Sequence, residues 1–189
     1  MIDNAKGDYL FFGDDDIDWE IDNIWEIVDY FKNHSDTHLI SGRTLNEDGF
    51  YRKSYSNRSR KLNFFNSAKT GTVEMAIRVN QFRLSRIYFD EAFGAGSENF
   101  LGDEYIFITD ALKQGIRCQY LPIDFSMHKG ISSGVIYGSV EDAQARSAVL
   151  SRVFERKALL AKVAFLLKNM AKFRKFSLIR TFLRTVRKE

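Results

Sequence analysis

The chain of 189 residues contains one cysteine, one proline and no long uninterrupted apolar run. A single thiol, Cys118, excludes a disulfide framework and any zinc site built from several cysteines. It predicts a protein of a reducing, intracellular compartment. Without a long apolar run no transmembrane helix is predicted, and residues 1–16 lack the apolar core of a signal peptide.

The remaining composition is that of a folded domain. Apolar residues make up 44% of the chain and 17 residues are phenylalanine, which excludes wholesale disorder. A chain of this length can bury a substantial core. Composition therefore predicts a globular fold.

Charge is distributed unevenly along the chain. Residues 1–151 carry 16 Lys/Arg against 23 Asp/Glu, whereas residues 152–189 carry 12 against 2. This asymmetry predicts an acidic body followed by a basic tail. Because the body has no zinc finger, RNP-type motif or basic–aromatic groove, nucleic acid is not predicted as a partner.

Hydrophobic patterns predict alternating strands and helices. A strand is predicted at Tyr9–Phe12, and a helix follows with Asp18 as its N-cap. The apolar face of that helix comprises Ile21, Ile24, Trp25, Val28 and Phe31. Further strands are predicted at His38–Ser41, Val73–Val79 and Gln119–Phe125, and further helices over Asp103–Gln114 and from Glu141 onward, with hairpins and loops over Arg43–Thr72. The alternation indicates an α/β sheet, whose ligands bind beyond the carboxyl ends of its strands.

Three consecutive carboxylates, Asp14, Asp15 and Asp16, follow the first predicted strand. They repel one another unless a cation neutralises them, and several oxygens together suit a hard divalent ion. The alternative is a solvated acidic cap for the next helix. An EF-hand is excluded because Trp19 and Trp25 occupy the positions that require Gly and Glu.

Two other groups of residues could carry chemistry. Asp103 and Glu104 begin a predicted helix, where the alternative role is helix capping. His128 follows a predicted strand and precedes Lys129, Ser132 and Ser133, in a glycine-containing segment that could hold phosphate oxygens. The alternative for His128 is a structural histidine.

Four blocks in this order resemble the family-2 glycosyltransferases. Ala5–Asp16 resembles the family's "A-x-G-D-Y" strand that leads into the DxD motif, and Phe89–Gly94 resembles "F-D-E-x-F-G". Gly102–Phe107 resembles "G-E-D-x-x-F", followed by Ala111–Gly115 for "R-L-x-x-G". Ile123–Ser133 resembles the closing strand with its "H-x-x-x-S-S".

The resemblance implies a partial GT-A fold of the nucleotide-diphospho-sugar transferase type: a mixed sheet with flanking helices and a C-terminal helical tail. It implies transfer of a single sugar from a nucleotide-sugar donor, commonly UDP-linked in this family, with Mn²⁺ or Mg²⁺. The acceptor would be a glycan or a lipid-linked molecule, in bacterial surface-polysaccharide synthesis. Single-sugar transfer follows because the Q-x-x-R-W motif of the processive synthases is absent.

Site roles follow from the same resemblance. Asp16, Asp14 and His128 would bind the metal ion. Five residues would contact the nucleotide-sugar donor: Asp14, Asp15, Lys129, Ser132 and Ser133. Glu104 would be the catalytic base, with Asp103 as the alternative, because the family's "E-D" pair is reversed here. One base opposite the leaving group implies inversion at the anomeric carbon.

Family members place a nucleotide-binding half before the DxD strand, so about three βα units, roughly 90 residues, are expected to be missing. We predict a catalytic portion over 1–140 and a basic amphipathic tail over 141–189. In the tail, Lys168, Lys172 and Lys175 are at helical spacing. The tail predicts either peripheral attachment to the anionic inner face of the plasma membrane, in an otherwise cytoplasmic protein, or a helix packed on its own domain with a solvated basic face. The alternatives are a truncated, non-catalytic remnant, or a membrane-surface module with an acidic head.

Overall fold

The computed structural model describes residues 2–128, 138–173 and 175–184. The chain forms two compact units. One comprises residues 2–88 and 107–128, and the other comprises residues 89–106 and the described residues from 138 onward. The domain boundary predicted after residue 140 stays a prediction.

A mixed sheet of six strands organises the first unit. Its order is β1-β5-β3-β6-β2, with β4 also paired to β6. Among the described strands, β3 and β6 run parallel and the other pairs run antiparallel. The strands are β1 (Tyr9–Phe11), β2 (Ile17–Trp19), β3 (Leu39–Asn46), β4 (Arg60–Lys61), β5 (Met75–Arg78) and β6 (Cys118–His128). The mixed α/β class and the four predicted strands are confirmed.

The two central strands, β3 and β6, are buried on both faces over part of their length. The first four residues of β3 are all buried, as expected of a strand covered on both sides. Their ladder has register shifts between Ser41 and Thr44. Around this ladder a cluster of apolar side chains forms the core: Ile27, Phe31, Ile40, Ala76, Leu121 and Phe125.

Three helices belong wholly or partly to this unit: α1 (Ile21–Asn33), α2 (Val79–Leu84) and α3 (Asp103–Lys113). The predicted helix after the acidic run is confirmed as α1, but Asp18 is not its N-cap. Asp18 lies in β2, where its backbone pairs with β6, and Glu20 precedes the helix without a side-chain cap. The buried face of α1 is centred on Ile27 and Phe31, while Ile21 and Trp25 are exposed.

A buried carboxylate holds the long segment 43–72 against the sheet. Glu74 is 4% exposed and accepts a hydrogen bond from the Tyr55 hydroxyl at 2.6 Å. Its other oxygen pairs with Lys53 at 2.9 Å and accepts from the Gly71 amide at 3.0 Å. Burial and the adjacent Glu74 carboxylate raise the pKa of Tyr55 above its ordinary range, so this phenol stays a hydrogen-bond donor.

We expect Glu74→Gln to lower the free energy of unfolding by about 2 kcal/mol, because charge-assisted hydrogen bonds are lost and the amide group would face other donors. Urea unfolding measures this cost. Glu47→Gln makes the same chemical change at an exposed position and should leave the midpoint unchanged. Equal midpoints for the two variants would show that the Glu74 contacts do not stabilise the fold.

The described part of the tail contains three helices where the sequence predicts continuous helix from Glu141: α4 (Val140–Phe154), α5 (Ala158–Lys168) and α6 (Phe176–Leu183). The helical class is confirmed, but the chain turns at Glu155, whose φ is 49°, and α5 stops before Asn169. The lysines at 168, 172 and 175 therefore do not share one helix. None of the described helices is both long and apolar enough to cross a bilayer.

The helix α4 begins with a capping residue. Ser139 accepts a hydrogen bond from the Asp142 amide at 3.0 Å, as its position before two acids would suggest.

Aromatic packing holds the three tail helices together. Between them, buried side chains form a second core: Ala143, Phe173, Leu178 and Phe182. Phe165 stacks on Phe182 with ring centroids 5.4 Å apart.

Lys162 is buried in the middle of α5, with 1% of its surface exposed. Its amine donates a hydrogen bond to the Arg184 carbonyl at 3.3 Å, and the Ser147 hydroxyl donates to the same oxygen at 3.2 Å. These bonds satisfy a carbonyl at the end of α6. Burial lowers the pKa of the Lys162 amine below its usual value.

This lowered pKa predicts an alkaline gain in stability. Between the lowered pKa of Lys162 and its ordinary value of 10.5, the unfolded chain binds the proton that the folded chain has lost, so the free energy of unfolding rises with pH. Urea midpoints measured from neutral pH up to about pH 10 should rise more in the wild type than in Lys162→Met. Lys168→Met, at an exposed lysine of the same helix, should follow the wild type. Parallel curves for all three proteins would contradict the prediction.

Candidate metal and donor site

The acidic run forms a tight turn between two strands. β1 ends at Phe11 and β2 begins at Ile17, so the chain reverses through Gly13 and the three aspartates. A Cβ at Gly13 would lie 2.6 Å from the Trp19 ring and 2.9 Å from the Ile17 side chain. Only glycine therefore lets β2 fold back against the start of the turn.

Strand pairing brings His128 to this turn. β6 lies between β2 and β3. In its pairing with β2, His128 is opposite Ile17, and in its pairing with β3, His128 is opposite Asn46. The His128 Nε2 atom lies 3.6 Å from Asp14 Oδ2 and 3.5 Å from Asp16 Oδ1. The side chains of Asp14 and Asp16 are about half exposed, whereas that of His128 is 14% exposed. The structure thus brings His128 beside two aspartates that precede it by more than a hundred positions.

These three side chains could together hold a divalent metal ion. Each offers one ligand atom, and the three atoms all lie within 4.8 Å of one another. Adjacent oxygen ligands of a small divalent ion are about 3 Å apart. The Nδ1 atom of His128 is buried and has no hydrogen-bond partner among the described residues. The ring nitrogen that faces both carboxylates is Nε2, so Nε2 is the atom that would bind an ion.

The other residues predicted for the donor are not part of this group. Asp15 lies in the turn with an exposed side chain, between Asp14 and Asp16, and contributes no atom to the cluster. Lys129, Ser132 and Ser133 lie outside the described residues. Their roles stay predictions.

Asp103 and Glu104 belong to the second unit and form the first turn of α3. Both side chains are partly buried at the helix N-terminus. Burial raises the pKa of the neighbouring Tyr105 to about 12, so its phenol stays protonated at neutral pH. This leaves the two carboxylates as the candidate bases in this turn.

A glycine-containing loop packs directly against Asp103. Gly94 has a φ of 96°, and a Cβ there would come within 2.7 Å of the Asp103 carboxylate. The loop is closed by hydrogen bonds from the Gly94 amide to the Asn99 carbonyl and from the Asn99 side chain to the Ala92 carbonyl. Asp103 therefore sits against main chain that only glycine allows so close.

The aspartate of the "F-D-E" block anchors the same loop. One carboxylate oxygen of Asp90 accepts a hydrogen bond from the Ala92 amide at 3.2 Å. The other pairs with Arg152 of α4 at 2.9 Å. Asp90 thus fixes the loop to a helix, a structural role that its sequence position alone does not reveal.

No known protein-family profile matches the chain, and no curated protein sequence matches it. Several solved structures match the chain in fold. Staphylococcus aureus TarS residues 1–349 in complex with UDP-GlcNAc aligns at TM-score 0.63 and 12% identity, over 96% of this chain and 56% of that one. The complex of the same fragment with UDP aligns at TM-score 0.54 and 12% identity, over 82% of this chain and 43% of that one. S. aureus TarS aligns at TM-score 0.56 and 14% identity, over 96% of this chain and 29% of that one.

The mixed α/β sheet with flanking helices is therefore a fold that this chain shares with the TarS structures. At 12–14% identity the likeness concerns the fold alone. Almost all of this chain aligns with TarS residues 1–349, but it spans only about half the length of that fragment.

β2 is the functional element that the sequence-based interpretation missed. Ile17, Asp18 and Trp19 were assigned to the approach of a helix, yet their pairing with β6 is what places Asp16 beside His128. The alternation of apolar and polar residues over Ile17–Trp19 was the available signal, but three residues are too few to distinguish a strand from a helix start.

We expect the cluster to bind Mn²⁺. Asp16→Asn and His128→Ala each remove one ligand and should weaken Mn²⁺ binding by at least about tenfold in isothermal titration calorimetry. Asp22→Asn is the matched control, because Asp22 is an exposed carboxylate in α1 outside the cluster. Equal affinities for the three variants and the wild type would exclude the site.

Proposed function

We propose that the protein is a glycosyltransferase that moves a single sugar from a UDP-linked donor to a hydroxyl of a glycan or lipid-linked acceptor. The observation that carries the proposal is the cluster of Asp14, Asp16 and His128 on this fold. The likeness to TarS structures that contain UDP-GlcNAc and UDP supports a UDP-sugar as the donor. Membership of family 2 is part of the proposal and rests on the four sequence blocks.

Asp16, Asp14 and His128 would hold the divalent ion. The mixed set of two carboxylates and one imidazole favours Mn²⁺ over Mg²⁺, because Mg²⁺ prefers oxygen ligands alone. When bound, such an ion supplies positive charge to the diphosphate leaving group. Asp15, exposed in the same turn, is proposed to contact the ribose or the sugar.

The segment that follows β6 is proposed to complete the donor site. Lys129 would add a cation for the diphosphate, and Ser132 and Ser133 would add hydroxyl donors. These three roles rest on the resemblance of Ile123–Ser133 to the closing strand of the family. His128, the last residue of β6, would link the metal to this segment.

Glu104 is proposed as the catalytic base that removes the proton from the acceptor hydroxyl. Attack by that oxygen on the anomeric carbon forms the new glycosidic bond as the bond to the diphosphate breaks, and the electron pair leaves with UDP. One displacement of this kind inverts the anomeric centre. The packing of Asp103 against Gly94 favours a positioning role for Asp103 and leaves Glu104 as the base.

The setting of the reaction is proposed from the resemblance. Acceptors in bacterial surface-polysaccharide synthesis and a cytoplasmic location fit the use of a nucleotide sugar and the single buried thiol. Burial raises the pKa of Cys118 to about 12, so this thiol is held in its protonated form.

We expect metal-dependent donor binding. Titration of the protein with UDP should release or absorb measurable heat in the presence of Mn²⁺ and none in its absence, because the diphosphate and the aspartates repel each other without a cation. Asp16→Asn should abolish that heat, and Asp22→Asn should retain it. Failure of the wild type to bind UDP with Mn²⁺ would favour the non-catalytic remnant over the enzyme.

Replacement of the base should separate binding from chemistry. We expect Glu104→Gln to lower the release of UDP from UDP-GlcNAc, with water as the acceptor, by about 100-fold or more while UDP binding is kept. Glu98→Gln, an exposed residue of the same unit, is the matched control. If Asp103→Asn abolishes the reaction and Glu104→Gln does not, the two residues exchange roles. If neither variant differs from the wild type, the assignment of the base to this pair is wrong.

A further inference from the structure

The second helix of the tail, α5, presents apolar side chains to solvent. Leu159, Leu160, Val163 and Leu167 are 60%, 73%, 42% and 68% exposed, and Met170 just beyond the helix is 66% exposed. We call these five residues the α5 patch. At 100° per residue the four helical members fall within about 100° of the helix circumference, so they form one continuous stripe. A contiguous exposed apolar stripe of this kind marks an interaction surface.

The opposite face of α5 is packed, so the outward direction of the stripe is held by the fold. Lys162 on that face is buried and bonds to the Arg184 carbonyl. Phe165 and Leu166 pack against the second core. Burial of a lysine beside exposed leucines reverses the usual order, in which apolar residues are inside. Rotation of α5 to hide its leucines would break these packed contacts.

Cations flank the α5 patch along the chain. Arg156 and Lys157 precede α5, Lys168 ends it and Lys175 precedes α6, and all four side chains are exposed. After Glu155, no Asp or Glu occurs up to residue 184. The sequence that carries the patch is therefore strongly basic.

We propose that the α5 patch binds the surface of an anionic lipid bilayer. The leucines and valine would enter the boundary between head groups and acyl chains, while the flanking cations contact anionic head groups. The basic residues near the patch are complementary in charge to anionic head groups, which favours a membrane over another copy of the chain. In a symmetric dimer through the same patch, the cations of each copy would face those of the other and repel them. The inference goes beyond the proposed transferase reaction, which does not itself require a membrane.

Vesicle co-sedimentation tests the proposal with the full chain and without any sugar donor. The probes are vesicles of phosphatidylcholine containing phosphatidylglycerol and vesicles of phosphatidylcholine alone. We expect the wild type to sediment with the anionic vesicles and to be released by salt, because exposed charges are screened. Since no donor is present, the result is independent of the transferase activity.

Two double variants separate the apolar and electrostatic contributions. Leu160→Ser with Leu167→Ser should weaken binding by about tenfold or more, through loss of inserted apolar surface. Lys157→Gln with Lys168→Gln should weaken it by roughly 25-fold, about fivefold for each cation. All four side chains are exposed, so unchanged circular dichroism is expected.

The matched controls lie in the other unit. Leu84→Ser removes an exposed leucine, and Lys6→Gln with Lys61→Gln removes two exposed lysines. Both should bind like the wild type. Absence of wild-type binding to anionic vesicles, or equal losses in the control variants, would overturn the proposal. So would a dimer in solution that the Leu160 and Leu167 replacements convert to a monomer, because the patch would then be covered by a second copy.

Discussion

The short antiparallel ladder between β2 and the end of β6 is the contact on which the candidate donor site depends. Asp14 and Asp16 are adjacent along the chain to one strand, and His128 ends the other. Without this ladder the aspartates would lie in a free loop, where mutual repulsion would separate them. A side chain at Gly13 would collide with the Trp19 ring and the Ile17 side chain of β2, so the glycine lets those side chains lie against the start of the turn.

In both units, carboxylates lie beside a regular strand or helix and close to a glycine that leaves room for neighbouring side chains. In the first unit, β6 and Gly13 define the turn that carries Asp14 and Asp16. In the second, the first turn of α3 and the loop at Gly94 define the position of Asp103. Carboxylates on such elements lose little freedom when a ligand binds, which is the general condition for a preorganised site. The buried network of Glu74 is different, because its partners are all within the fold and leave no oxygen for a ligand.

Much of the fold was predictable from local pattern, and the errors have identifiable causes. Strands β1, β3, β5 and β6 and helices α1 and α3 carry clear apolar runs or helical spacing and were assigned to the right class. Asp18 was misplaced because a residue that suits an N-cap also suits an exposed position in an edge strand. The tail was correctly helical, but its division at Glu155 and Asn169 carries no glycine or proline. Asn169 is a residue type common at helix C-termini, whereas Glu155 carries no local stop signal.

The sequence by itself singled out the acidic run, the Asp103–Glu104 pair and His128 as candidate site residues, through their residue types and through the resemblance of four blocks to the family-2 glycosyltransferases. The charge contrast between body and tail could also be predicted from the sequence. The tertiary structure alone decided that His128 lies beside Asp14 and Asp16, because strand pairing sets distances between residues that are remote in the chain. It also decided that α5 hides Lys162 and exposes its leucines. Helical spacing shows which residues share a face, but the face that packs inward is chosen by the neighbouring helices.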